Sequence, residues 1–302
     1  MTINGHRAAF SMILAMLIIG FIDNYIVIIA GQASLWQFQI IRAFMAVPLV
    51  MLASLVGFGT IWPKRLWAVS IRSGLIALAM IFYFGALAFM SIAQALAGLF
   101  TSPIFILLIT AFILKNPVGK VRIFAVVLGF VGILLVLDTG LADISLINLL
   151  PVIGGLLYAM GAVATRELCE EESTLSMLIV MLIFQALIGA IALGGVSYMD
   201  IPSVEGTDGF MTRLWVWPLD QVFHLIVLQA FGSVIGVGFL IRAYQLGEAS
   251  YVSVLEYSVF IFGPVFAWFL FGQTVTGLQI VGIVLVAAAG MIIALRSTTR
   301  SG

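Results

Sequence analysis

Residues 73–114 read SGLIALAMIFYFGALAFMSIAQALAGLFTSPIFILLITAFIL, 42 residues without a charge between Arg72 and Lys115. One membrane helix needs about 20 apolar residues. The run is too long for one such helix and right for two, with a tight turn near Ser91–Gln94. A second uncharged run follows Glu256, with 39 residues before Arg296. It must hold the rest of one span and all of the next, turning at Gly272-Gln273-Thr274. Read outward from these two hairpins, the chain carries spans at 8–29, 34–58, 71–91, 93–114, 119–138, 146–167, 174–196, 221–243, 250–271 and 277–295. In the fifth, Lys120 and Arg122 extend the helix by snorkelling.

Composition agrees. Of 302 residues, 63% are hydrophobic and 9% charged, with mean hydropathy +1.25; soluble domains carry about 25% charged residues. The formal net charge is zero, from 13 basic and 13 acidic residues, so nucleic acid is not an expected partner. The single cysteine, Cys169, lies in the polar stretch RELCEEES (166–173) and suggests neither a disulfide nor a thiolate metal site. Residues 7–30 imitate a secretory signal, but Asp23-Asn24 interrupts the apolar run and further spans follow, so they are read as the first span.

Basic residues orient the chain. With the N-terminus inside, the cytoplasmic side holds Arg7, Lys64, Arg65, Arg72, Lys115, Lys120, Arg122, Arg166, Arg242, Arg296 and Arg300, 11 of 13. Arg213 lies outside and Arg42 within a span. The outer loops carry Asp138, Asp143, Asp200, Glu205, Asp208 and Asp220. The expectation is an all-α membrane protein of ten transmembrane helices with both termini cytoplasmic.

The chain also repeats. Shifted by 157 residues, ALAFMSIAQ (86–94) falls on AYQLGEASY (243–251), Asn116 on Gln273, and GILLVL (132–137) on AGMIIA (289–294). Five spans per half is an odd number, so the halves are expected to be inverted, with boundaries at 1–140 and 141–302. Inverted repeats mark transporters that bind near the midplane and work by alternating access.

RAYQLGEASYVSVLEYSVFIFGPVFAWFLFGQ (242–273) with GIVLVAAAG (282–290) resembles the second repeat of the EamA-type drug/metabolite transporter superfamily. YFGALAFMSIAQALAGLFTSPIFILLI (83–109) resembles the first repeat, and Trp36–Arg42 the start of its second helix. The resemblance covers nearly the whole chain. It implies a ten-helix carrier of the bacterial inner membrane with a central cavity, and it leaves the solute open. One departure recurs: where the family usually has the glutamate of an LGE or FGE turn, this chain has Asn116 and Gln273.

Intramembrane charges are costly and usually functional or paired. Asp23 and Arg42 fall at similar depth in the outer half and are read as a buried pair, either structural or gating. Glu256 has no basic residue at its depth. It shares a stripe with Ser253, Phe260 and Pro264, and is either a site for a substrate amine or a coupling proton, or a hydrogen-bonded structural acid. Tyr257, Tyr83, Thr101, Ser102, Gln229, Ser233 and Ser253 complete the candidate substrate-binding set, and Tyr158 and Trp268 are candidate cavity walls. Pro103 and Pro264 are expected to kink their helices. Gly98 and Gly232-xxx-Gly236 read as helix contact points. Trp36, Trp62, Trp67, Trp215 and Trp217 read as interface anchors. The 197–220 loop is a candidate amphipathic segment.

No metal-ligand cluster, phosphate-binding glycine loop or nucleophile–base constellation is present, so no enzyme, cofactor or metal is expected. The first expectation is gradient-driven export of amino acids or amines, because an unpartnered Glu256 leaves the cavity acidic. The alternative is uptake of a larger metabolite such as riboflavin or S-adenosylmethionine. A non-transporting membrane sensor is the rival from another class, but only six residues follow Arg296. Protons are the candidate coupling ion, and the carrier is expected as a monomer or homodimer.

Overall fold

The computed structural model describes residues 4–86, 92–137, 149–199, 202, 204–272, 274 and 276–299. The expected turn at Ser91, the carboxylates Asp138, Asp143 and Asp200, and Gln273 lie outside the described residues.

Helices follow the apolar runs closely. They are α1 (Asn4–Asp23), α2 (Ile26–Ala30), α3 (Leu35–Leu55), α4 (Leu66–Ala86), α5 (Ile92–Leu99), α6 (Ser102–Leu108), α7 (Lys120–Leu137), α8 (Leu149–Glu167), α9 (Thr174–Tyr198), α10 (Phe223–Leu246), α11 (Ala249–Glu256), α12 (Val259–Phe271) and α13 (Gly277–Thr299). A π-helical turn, Ile109–Ile113, extends α6. Among the described residues, eight helices are long and apolar enough to cross a membrane, counting α1 with α2, α5 with α6, and α11 with α12 as one each. α7 begins on two cations, Lys120 and Arg122, and the apolar part of α13 is shorter, Gly277–Ile292.

Polarity is arranged for lipid. Phe44, Leu55, Phe112, Ile191 and Phe269 face outward, while Gln37, Arg72, Ser73, Gln229 and Glu256 are buried. A soluble fold does the reverse, since large exposed apolar areas in water invite association.

Packing is pairwise. α1 lies on α10, α4 on α8, α3 on α9, and α7 on α13. Glycines set the closest approaches. At Gly132 of α7 a Cβ would meet the Gly282 carbonyl oxygen of α13 at 2.8 Å, and one at Gly282 would meet the Gly132 oxygen at 2.6 Å. Gly98 lies against Pro151, and Gly232 and Gly236 against Ile22 and Ile19 of α1. These glycines are contact points, as their spacing suggested.

Two helices are interrupted at equivalent places. α5 gives way to α6 at Phe100-Thr101, and α11 to α12 at Tyr257-Ser258, and 157 residues separate the two breaks. At the first, Pro103 sits in the opening turn of α6. Its ring denies the Leu99 carbonyl a partner, and the Thr101 hydroxyl donates to the Gly98 carbonyl at 2.6 Å. The second break does not fall at Pro264, which the helix α12 carries inside it. It falls earlier, where the Ser258 hydroxyl takes up the Leu255 carbonyl at 2.7 Å. A serine can satisfy a carbonyl that lipid cannot.

Within the 197–220 loop, read as a candidate amphipathic segment, the 207–220 stretch folds as a cap on α2 and α3. The Arg213 guanidinium donates to the carbonyls of Ala30, Ala33 and Gly206. Trp36 is buried, with its indole N–H donating to the Met211 carbonyl at 2.7 Å, and so is no interface anchor. Trp62, Trp67, Trp215 and Trp217 are exposed.

Candidate functional site

The two breaks meet. The Tyr257 hydroxyl lies 3.5 Å from the Phe100 carbonyl oxygen, and the Phe100 ring stands edge-on to Phe260 at 4.6 Å. Interrupted helices expose backbone carbonyls at membrane depth, which is tolerated only inside protein or against a cavity. Candidate polar residues gather on either side of this crossing, in two groups.

The first group centres on Glu256, 2% exposed at the last turn of α11. Two phenols serve one carboxyl oxygen: Tyr244 donates to Glu256 Oε1 at 2.6 Å and Tyr158 at 2.9 Å. Glu256 is therefore hydrogen-bonded, one of its two readings from sequence, though to Tyr244 and Tyr158 and not to Tyr257 or a serine. Beyond Tyr158 stands Arg72, whose charge acts on that phenol. Arg72, read as lying at the start of the third span, is not an exposed cation. It is buried in α4, where Nε donates to the Thr165 hydroxyl of α8 at 2.9 Å. Ser253, one turn before Glu256, is buried, and its hydroxyl has no partner among the described residues.

The second group centres on Arg42. Its Nη2 donates to Gln39 Oε1 at 2.6 Å and to Gln185 Oε1 of α9 at 2.8 Å. Its guanidinium carbon stands 5.1 Å from the Phe38 ring centre, a cation–π distance. Arg42 Nε is buried without a partner among the described residues. Asp23 and Arg42 interact electrostatically, but their contact is not among the ion pairs of the described residues. Asp23 has accessible surface, and its charge acts on Arg42 of α3 and Tyr83 of α4. Asp23 is thus exposed at the end of α1 and is not the buried half of a pair with Arg42 that its depth in the sequence suggests. Beside this group a cavity of about 10 Å³, lined by Trp36, Gln39, Met80 and Gln185 among others, has room for about one water.

The other candidates divide. Tyr257 is buried at the second break, packed against Gly129. Tyr83 is half-buried near Asp23. Thr101 and Ser102 lie at the first break, where Thr101 faces Gly155 of α8. Gln229 spends its amide on the Ile22 carbonyl at 2.7 Å, and Ser233 on Ala230 of its own helix. Those two hold α10 to α1 and to itself, and neither faces open space. Asn116, at the position of the family's glutamate, is exposed beyond the π turn.

Sequence reasoning missed Tyr244, Gln39 and Gln185 as partners and the burial of Arg72 against Thr165. A glutamine in an apolar helix at the depth of Arg42 was the available signal for Gln185, since each buried amide needs a partner. Nothing local pointed to Tyr244.

Comparison with known proteins adds the family. The EamA-like transporter family matches residues 6–138 and again 145–295. A riboflavin transporter of Rhizobium johnstonii is 26% identical over 266 residues, covering 87% of this chain and 80% of the relative. An uncharacterized transporter of Helicobacter pylori is 24% identical, covering 72% and 70%. An S-adenosylmethionine uptake transporter of Rickettsia prowazekii is 24% identical, covering 64% and 60%. A protein crystal structure superposes with a TM-score of 0.75 over 98% of both chains at 15% identity, which speaks for the fold alone.

Proposed function

The chain belongs to the EamA-like transporter family, and from that premise we propose a gradient-driven carrier that takes up a bulky, ring-bearing metabolite of the riboflavin or S-adenosylmethionine class. It is a multi-pass transporter of the bacterial inner membrane, not an enzyme. Ten spans in two inverted repeats, 1–140 and 141–302, with both ends cytoplasmic, are the architecture we infer. The swapped packing supports it: exchanging the halves turns the α1–α10 pair into the α8–α4 pair and maps α3–α9 and α7–α13 onto themselves. Arg7, Lys64, Arg65, Lys120, Arg122, Arg166 and Arg242 near helix ends favour one face as cytoplasmic.

The observation that carries the substrate class is Arg42 of α3 bonded to Gln185 of α9 above the Phe38 ring. It joins one candidate repeat to the other with amides, a guanidinium and an aromatic face, groups suited to a heterocycle with donors and acceptors on its edge. The names of the relatives favour the same class. Asp23, exposed at the end of α1, favours a second reading in which the solute carries a cation such as a sulfonium. Export of amino acids or amines lacks this support, since the relatives named for a solute are riboflavin and S-adenosylmethionine transporters. A ring-bearing solute exceeds a space of about 10 Å³, so the bundle must open around Arg42 to admit it, as alternating access requires.

Purified protein in liposomes tests the proposal. Labelled riboflavin or S-adenosylmethionine should accumulate against a pH or solute gradient, and Arg42→Gln should lower that uptake at least tenfold. Flux of amino acids alone would sink the substrate class; no flux of any solute would favour the sensor.

A further inference from the structure

At the basic face, the first turns of α1 and the last turns of α10 enclose a cleft of about 410 Å³ lined by His6, Arg7, Phe10, Ser11, Arg242 and Leu246. Its two arginines differ from three other arginines of the basic face, which are partnered. Arg122 is held by Glu248 and Ser250, and Arg166 by Glu170 and the Gln245 carbonyl. Arg65 reaches Glu171. Arg7 and Arg242 are exposed, and among the described residues neither makes a hydrogen bond or ion pair. Among the described residues no carboxylate lines the cleft to offset the two arginines. One wall is apolar: Phe10 is 68% exposed, nearly two turns into a helix that continues through Ile13 toward the bilayer core. Paired cations over an exposed phenylalanine at the end of a membrane helix match a molecule with an anionic head and a hydrocarbon tail.

We propose that this cleft binds the phosphodiester headgroup of an anionic phospholipid, with Arg7 and Arg242 on the phosphate, His6 and Ser11 beside it, and an acyl chain along Phe10. The two guanidiniums come from α1 and α10, whose contact continues just beside the cleft, where Gly247 meets Ala8. A phosphate held between them braces that helix pair. A free phosphate ester shares the head chemistry but leaves Phe10 uncovered, which favours the lipid. Basic pockets of this kind between membrane helices recognise lipid headgroups through charge at short range.

Native mass spectrometry of the full chain, released from nanodiscs of phosphatidylglycerol or of phosphatidylcholine, tests the proposal. The wild type should retain phosphatidylglycerol and release phosphatidylcholine. The Arg7→Gln/Arg242→Gln variant should bind phosphatidylglycerol about thirty-fold more weakly, roughly fivefold per cation. Neither arginine bonds within the fold, so the variant should keep the wild-type melting temperature in phosphatidylcholine, which separates lost binding from lost folding. Millimolar glycerol 3-phosphate should not displace the lipid. Equal retention by wild type and variant would overturn the proposal, and displacement by glycerol 3-phosphate would reassign the cleft to soluble phosphate esters.

Discussion

Glu256 shows how much one residue discloses and where it stops. An acid in an apolar helix was visible as a candidate from the residue alone. Its partners were not, since Tyr244 lies 12 residues away across a turn and Tyr158 lies 98 away. Two donors on one oxygen suit a carboxylate, and Glu256→Gln leaves an amide that accepts less well and brings two unwanted donors. We expect Glu256→Gln to yield folded protein whose transport no longer varies with pH, read as initial uptake rates in liposomes between pH 5.5 and 8. An unchanged pH profile would make Glu256 purely structural. Tyr244→Phe removes one donor and should lower stability by about 1 kcal/mol, the scale of a hydrogen bond between membrane helices, seen as a fall of a few degrees in melting temperature.

Elements impose their own demands. α7 and α13 touch through backbone at Gly132 and Gly282, so Gly132→Ala would press a methyl onto a carbonyl that cannot move aside. A loss of about 2 kcal/mol is expected from such overpacking. At Gly263 an added Cβ meets nothing within 4 Å, and Gly263→Ala should change stability by less than about 0.5 kcal/mol. Thermal unfolding of both variants in detergent checks the contrast. At the turn into α11, burial pushes the Glu248 carboxyl up, but the Arg122 hydrogen bond and charge, with the Ser250 hydroxyl, outweigh it and hold the pKa below the usual 4.5. A depressed folded pKa adds stability above pH 4.5 that is lost as pH falls through the folded value. Melting temperature should therefore drop as pH falls from about 5 to about 3 in the wild type, and drop less in Glu248→Gln. Helix positions were legible because twenty apolar residues announce a span wherever they occur. The break before Pro264 was not, because Ser258 and its carbonyl partner carry no composition signal.

Over the whole molecule, hydrogen bonds tie the two halves at both ends. At the basic end, Glu172 accepts from the backbone N–H groups of Lys64 and Arg65 across the halves; within the second half, the Gln245 amide donates to the Cys169 and Glu172 carbonyls and so holds the loop that carries Glu172. At the far end, Arg213 and Trp36 join the cap to α2 and α3. A carrier that opens to one side must release one set and keep the other. Cys169, the only cysteine, reports on the basic end. It is buried, and burial pushes its thiol up to about 11 despite the opposing charge of Arg72. Maleimide should label the wild type slowly at pH 7.5 and Gln245→Ala at least fivefold faster; equal rates would mean that Gln245 does not hold this end shut. The sequence by itself determined the helical membrane class, the helix positions and the 157-residue repeat, because hydropathy is local and additive along a chain. Only the tertiary structure decided that Arg72 is buried, that Arg42 pairs with Gln185, and that the phenols of Tyr158 and Tyr244 meet on Glu256. Those contacts join residues 12 to 143 positions apart, and which polar groups meet depends on how the helices cross.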